Sequence, residues 1–138
     1  MNTLAQKFYL LCAALFFSWV LQASELYVDP PSSFLALGDS YTIGESVDAA
    51  MRWPNQLVAA LNRSGLEFEQ PQIVAKTGWT TDELLAALDQ ASLAASYDYV
   101  SLLIGVNNQY RGRSVASFEP EFTALIERAI SYSNRKAN

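Results

Sequence analysis

The chain alternates between short apolar runs and longer stretches in which apolar residues recur every three or four positions. Phe34-Leu35-Ala36-Leu37 is a continuous apolar run closed by Gly38, the pattern of a buried strand. A loop is expected from Asp39 to about Arg52. Pro54 then suits the first turn of a helix, and Trp53, Leu57, Val58 and Leu61 follow at helical spacing until Gly65. The motif repeats. Gln72-Ile73-Val74-Ala75 reads as a second strand and Thr77-Gly78-Trp79 as a loop. Thr80 and Glu83 form a capping box that opens a second helix, with Leu84, Leu85, Leu88 and Leu93 on its apolar face. Tyr99 to Ile104 reads as a third strand closed by Gly105, and Val106 to Ser117 as a polar loop. A last helix carries Phe118, Phe122, Leu125, Ile126, Ala129 and Ile130.

The pattern from residue 34 onward is therefore βαβαβα. Apolar strands alternating with helices predict an α/β fold, a parallel sheet with helices on both faces. In such sheets ligands bind outside the carboxyl ends of the strands. The three loops that follow the strands, Gly38-Asp39-Ser40-Tyr41, Lys76-Thr77-Gly78-Trp79 and Gly105-Val106-Asn107-Asn108, are thus expected at one edge. None of them is a dinucleotide fingerprint or a P-loop.

The first two dozen residues follow a different pattern. Lys7 is the sole charge before Glu25, and Phe8 to Leu21 are fourteen positions with Ser18 the one polar residue. A basic start, an apolar stretch and the small residue Ala23 predict a signal peptide over residues 1–23, with a periplasmic or secreted product and no stable membrane association after cleavage. An uncleaved anchor is the other reading, although the stretch is short against the ~20 residues of a membrane span. Asp29-Pro30-Pro31-Ser32-Ser33 reads as the end of an extended leader over residues 24–33. Cys12 sits in the apolar stretch without the small residues of a lipoprotein site, and reads as apolar filler.

Composition narrows the chemistry. The 138-residue chain is 51% hydrophobic and 12% aromatic, enough for one core and too apolar for disorder. The net charge is −5 with no basic cluster, which argues against nucleic-acid binding. One cysteine excludes a disulfide framework, and the absence of histidine removes the commonest general base and metal ligand.

A serine-type ester hydrolase needs a nucleophilic hydroxyl, a base, a group that orients the base, and donors for the oxyanion. The post-strand loops offer the first and the last. Ser40 follows Gly38-Asp39 in a tight turn that presents its hydroxyl at the strand end. Its own N–H, that of Gly78 and the Asn107 amide are candidate oxyanion donors. Asp39 reads as a structural turn residue. Lys76 is a poor substitute base, because nothing in the sequence places it near Ser40. Arg111 and Arg113 read as a solvated loop, with contact to an anionic substrate as the sharper alternative. Trp53, Trp79 and Tyr110 read equally well as packing residues and as the lining of an acyl pocket.

These three loops, each after its apolar strand, resemble the first three conserved blocks of the GDSL/SGNH hydrolase family over about residues 34 to 130. The resemblance implies a flavodoxin-like, three-layer parallel sheet, here shortened to βαβαβα. It implies Ser40 as nucleophile, with Ser40 N–H, Gly78 N–H and Asn107 as the oxyanion hole. It implies small ester, thioester or acyl-sugar substrates and neither metal nor organic cofactor. Two departures stand out. Asn107-Asn108 replaces the usual Asn-Asp, and the family's late Asp-x-x-His, source of the triad's acid and base, has no counterpart. Residues 34–138 therefore read as a partial domain of impaired activity. The competing expectation is a secreted, non-catalytic binding or assembly module that reuses half of the fold.

Overall fold

A computed structural model of the chain describes residues 29–133. The predicted signal peptide and most of the leader lie outside the described residues. The elements run β1 (Phe34–Gly38), α1 (Ser40–Ile43), a 3-10 turn (Ala49–Met51), α2 (Trp53–Arg63), β2 (Gln72–Ala75), α3 (Thr81–Gln90), β3 (Tyr99–Leu103), α4 (Val106–Tyr110) and α5 (Val115–Tyr132). The three strands form one parallel sheet in the order β2-β1-β3.

β1 lies at the centre and is buried along its whole length. Its side chains alternate between two cores, as the period of a strand requires. Leu35 and Leu37 face Leu84 and Leu88 of α3 and Leu125 of α5. Phe34 and Ala36 face Val58 of α2, with Trp53, Phe68 and Ile73 packed around them. The molecule thus has three layers, α2 on one face of the sheet and α3 with α5 on the other. Each fully buried leucine in the larger core contributes about 2–3 kcal/mol. Among the described residues no helix is long and apolar enough to cross a membrane.

The expected α/β architecture is observed, and the differences are local. The loop expected over 39–52 opens with α1, a single helical turn. Asp39 caps it by accepting the Tyr41 N–H at 3.0 Å, and Gly44 closes it in a left-handed conformation. Four residues are too few to show a helical period, so the pattern could not reveal this turn. The polar loop expected over 106–117 contains α4 and the first turn of α5. That turn is exposed and starts at Val115 rather than Phe118. Ser114 caps it by accepting the Ser117 N–H at 3.2 Å. Leu93 lies beyond the end of α3, although it still packs on the larger core. Ile104 lies one residue past β3. The leader ends on a parallel bridge between Ser32 and Phe68.

Candidate active site

Strand register brings the three predicted loops together. Gly38 is level with Ala75 on one side and with Leu103 on the other. Ser40, Gly78 and Asn107 therefore leave neighbouring strands within a few residues of a common edge. The strand order changes direction here, between β1 and β3, as at the ligand-binding crevice of doubly wound sheets. Gly38 permits the close fit at this edge, since a Cβ there would lie 2.2 Å from Thr42 Oγ1 and 2.5 Å from the Leu103 carbonyl oxygen.

Ser40 is the first residue of α1, a position where a helix offers the N–H no acceptor. Its carbonyl accepts the Gly44 and Glu45 N–H groups at 3.0 and 3.1 Å, which fixes the turn beneath the hydroxyl. Asp39 is 1% exposed. Burial raises its carboxyl above the usual aspartate range, against the opposing pull of the Tyr41 N–H that it accepts. The expected structural role of Asp39 is therefore its observed one.

Gly78 sits at φ +83° in a turn closed by the Trp79 N–H donating to the Lys76 carbonyl at 3.2 Å. A positive φ at the third position is the mark of a type II turn, which sets the direction of the Gly78 N–H and favours glycine. No described residue accepts that N–H. Asn107, in α4, donates from Nδ2 to the Trp79 carbonyl at 2.9 Å. An amide nitrogen carries two hydrogens, so one remains for another acceptor. The Asn107 side chain is thus both a brace for the Gly78 turn and a donor at the same edge.

Several residues brace the site through contacts that the sequence did not reveal. Asn108 is buried and pairs twice with Thr81: its Oδ1 accepts the Thr81 N–H at 3.1 Å and its Nδ2 donates to Thr81 Oγ1 at 2.6 Å. Thr81 Oγ1 in turn donates to Glu121 of α5. Arg111 donates to the Gly78 carbonyl at 2.6 Å and pairs with Glu83 at 3.3 Å, while Arg113 pairs with Asp82 at 2.6 Å. The loop is solvated as expected, with Arg111 exposed, but both arginines also tie the loop after β3 to the start of α3. Both acids lie below their ordinary range. Glu83 is held there chiefly by the Thr80 N–H, and Asp82 chiefly by the Thr80 hydroxyl, each with help from its arginine.

The aromatic candidates do not share a pocket. Trp53 packs on Phe34 at 6.1 Å between ring centroids, Trp79 packs on the larger core, and Tyr110 is 90% exposed. Among the described residues no group of three metal-ligating side chains gathers.

A three-layer parallel fold with Gly-Asp-Ser at the first strand end, a turn glycine at the second and an asparagine at the third defines an SGNH-type α/β protein. The profile of the GDSL-like Lipase/Acylhydrolase family matches residues 36–137, and the chain belongs to that family. Solved structures agree on the fold. The chain is similar to AlinE4, a SGNH-hydrolase family esterase, at 23% identity and a TM-score of 0.66, covering 73% of this chain and 54% of that one. It is similar to TesA at 22% identity and a TM-score of 0.60, covering 72% and 55%. The psychrotrophic esterase EstA from Pseudoalteromonas sp. is similar at 20% identity and a TM-score of 0.61, covering 74% and 56%. The chain thus spans just over half the length of these structures. No curated protein matches it in sequence.

Proposed function

We propose that this chain carries the nucleophile and oxyanion side of an exported serine ester hydrolase. Ser40 Oγ attacks the carbonyl carbon of a small ester or acylated substrate. Ser40 N–H, Gly78 N–H and the second Asn107 amide hydrogen stabilise the oxyanion that forms. The ester C–O bond then breaks, the alcohol leaves with the serine proton, and water hydrolyses the acyl-serine. The observation that carries this reading is the pair of backbone N–H groups, at Ser40 and Gly78, left without acceptors on adjacent loops. The 138 residues hold no histidine, so the proton acceptor has to be supplied from elsewhere. Export is supported by the apolar stretch Phe8 to Leu21 behind Lys7.

EstA is described in a form inhibited by monoethylphosphonate, which suggests a phosphonate as the reagent for Ser40. The full chain would be treated with a p-nitrophenyl alkylphosphonate, with and without imidazole as a replacement base, and its peptides weighed by mass spectrometry. Imidazole should drive a phosphonyl adduct onto Ser40, and Ser40→Ala should abolish it. Ester turnover without imidazole should lie at least ~10⁴-fold below that of an intact triad enzyme. Absence of an adduct at saturating reagent and imidazole would end the catalytic reading and leave the binding module.

A further inference from the structure

Beside Ser40, on the β2 side, lies a cleft of about 400 Å³ formed by the loop that leaves α1 and by the end of β2. Its lining includes Gly44, Glu45, Ser46, Arg52, Lys76 and Thr77. It flanks both halves of the proposed site: Gly44 donates its N–H to the Ser40 carbonyl, and Thr77 directly precedes Gly78. We propose that this cleft is an anion-binding subsite in which Arg52 and Lys76 hold a carboxylate or phosphate group of the ester substrate.

Four observations converge on it. The first is charge. The ion pairs among the described residues use Arg111, Arg113 and Arg128, and neither Arg52 nor Lys76 takes part in one. Of the three described cations without an ion pair, Arg52, Arg63 and Lys76, two share this one cleft in a chain of net charge −5. The second is an orphan donor. Arg52 Nε is buried and has no hydrogen-bond partner. A desolvated N–H without an acceptor is costly, so a small side-chain shift that turned the Nε edge onto an oxyanion, through two parallel bonds with Nη, would gain a bond that the side chain lacks without a ligand. The third is rigidity. The Arg52 stem lies against Gly44, where a Cβ would come within 2.8 Å of Arg52 Cγ, so the stem is confined along the wall of the cleft. The fourth is backbone strain. Ser46, in the wall of the cleft, is the one non-glycine described residue at positive φ, +63°. Such strain gathers at ligand clamps. Glu45 is the opposing charge in the lining, its carboxylate engaged by the Thr77 hydroxyl rather than by either cation, so the lining keeps one positive charge in excess.

The position explains what such a subsite would do. An anionic group held at Arg52 and Lys76 lies to one side of Ser40, so a substrate anchored there presents its ester toward the hydroxyl and the Gly78 N–H. As a substrate subsite the proposal rests on the ester-hydrolase reading. As an anion site it stands on its own.

The test separates the two. The ¹⁵N-labelled full chain would be titrated at low ionic strength with inorganic phosphate and, separately, with succinate, to tell phosphate from carboxylate recognition. Amide shifts should centre on Gly44, Ser46, Lys76 and Thr77 and saturate below about 10 mM. Arg52→Gln should weaken binding about tenfold, as loss of a charge-assisted pair does, and Arg52→Lys should recover part of it. Lys76→Gln should weaken it severalfold. Wild-type binding by Arg52→Gln, or shifts centred elsewhere, would overturn the proposal. In a second arm, Ser40 phosphonylation in imidazole should run faster with a carboxylate-tailed reagent than with its methyl ester, and Arg52→Gln should erase the preference. Anion binding without phosphonylation would reject the hydrolase reading and keep an anion site. Phosphonylation with no such preference would reject the substrate subsite alone.

Discussion

Asn108 stands where the family pattern has aspartate, and its surroundings show why an amide fits here. It gives one bond to Thr81 Oγ1 and takes one from the Thr81 N–H, leaving the threonine proton for Glu121. A carboxylate at 108 could accept but not donate, and it would set a second anion beside Glu121 around one hydroxyl proton. Asn108→Asp should therefore destabilise the chain by about 1–3 kcal/mol in urea unfolding, the range for a buried bond left unmade. Glu121→Gln should recover much of that loss in the double variant, since the amide removes the second charge. A purely additive result would show that the two side chains do not share Thr81. Ser40, Gly78 and Asn107 stood out in the sequence because each follows an apolar strand at a turn. The Asn108–Thr81 contact did not, because its partners lie 27 residues apart and meet only when the loops after β2 and β3 fold over the end of β1. Arg111, 33 residues from the Gly78 carbonyl it holds, was hidden in the same way.

The elements readable from the pattern are those held by burial along one face. β1, β2, α2 and α3 fall within a few residues of their expected places, because their apolar spacing is what packs them. α1 and α4 are helices of four and five residues held by other means, an aspartate cap in one and cross-loop amide bonds in the other. α3 was visible from its ends, since its capping box places Glu83 on the Thr80 N–H at 2.9 Å. That end of the helix carries a pH dependence. Glu83 and Asp82 lie below their ordinary range, so the stability they contribute is complete above that range and is lost as pH falls through their lowered values. Asp39 works in the opposite sense: its raised value favours the fold at low pH, and that contribution is lost as pH rises through it. Glu83→Gln keeps a carbonyl for the cap while removing the titration. Its melting temperature should therefore fall less steeply than wild type between about pH 5 and 3. An unchanged slope would mean that the cap does not report on Glu83 ionisation.

At the scale of the molecule, the sheet is covered on both faces at its centre and open along β3. That strand pairs with β1 alone among the named strands, although the turn at Tyr97 is tied to Ser133 at the end of α5. Tyr99 and Leu103 on β3 and Ile126 and Ile130 on α5 are 55%, 48%, 40% and 62% exposed, and several of these side chains border one groove along the strand. The solved structures of similar fold have nearly half their length without a counterpart in this chain. An apolar parallel edge beside an apolar helix face is a template for pairing with another chain. The full chain should therefore self-associate at tens of micromolar, within the range where exposed strand edges lead to aggregation. Leu103→Lys together with Ile130→Lys should suppress this in sedimentation velocity, because charge on an edge is how folded proteins block such pairing. Both residues are exposed, so each substitution should change unfolding stability by no more than about 0.5 kcal/mol. The comparison is made within one chain, so residues 1–28 act equally in both forms. Association that persists unchanged in the double variant would place the sticky surface away from β3, and a wild type that stays monomeric to about 100 µM would show that this edge is protected despite its exposure.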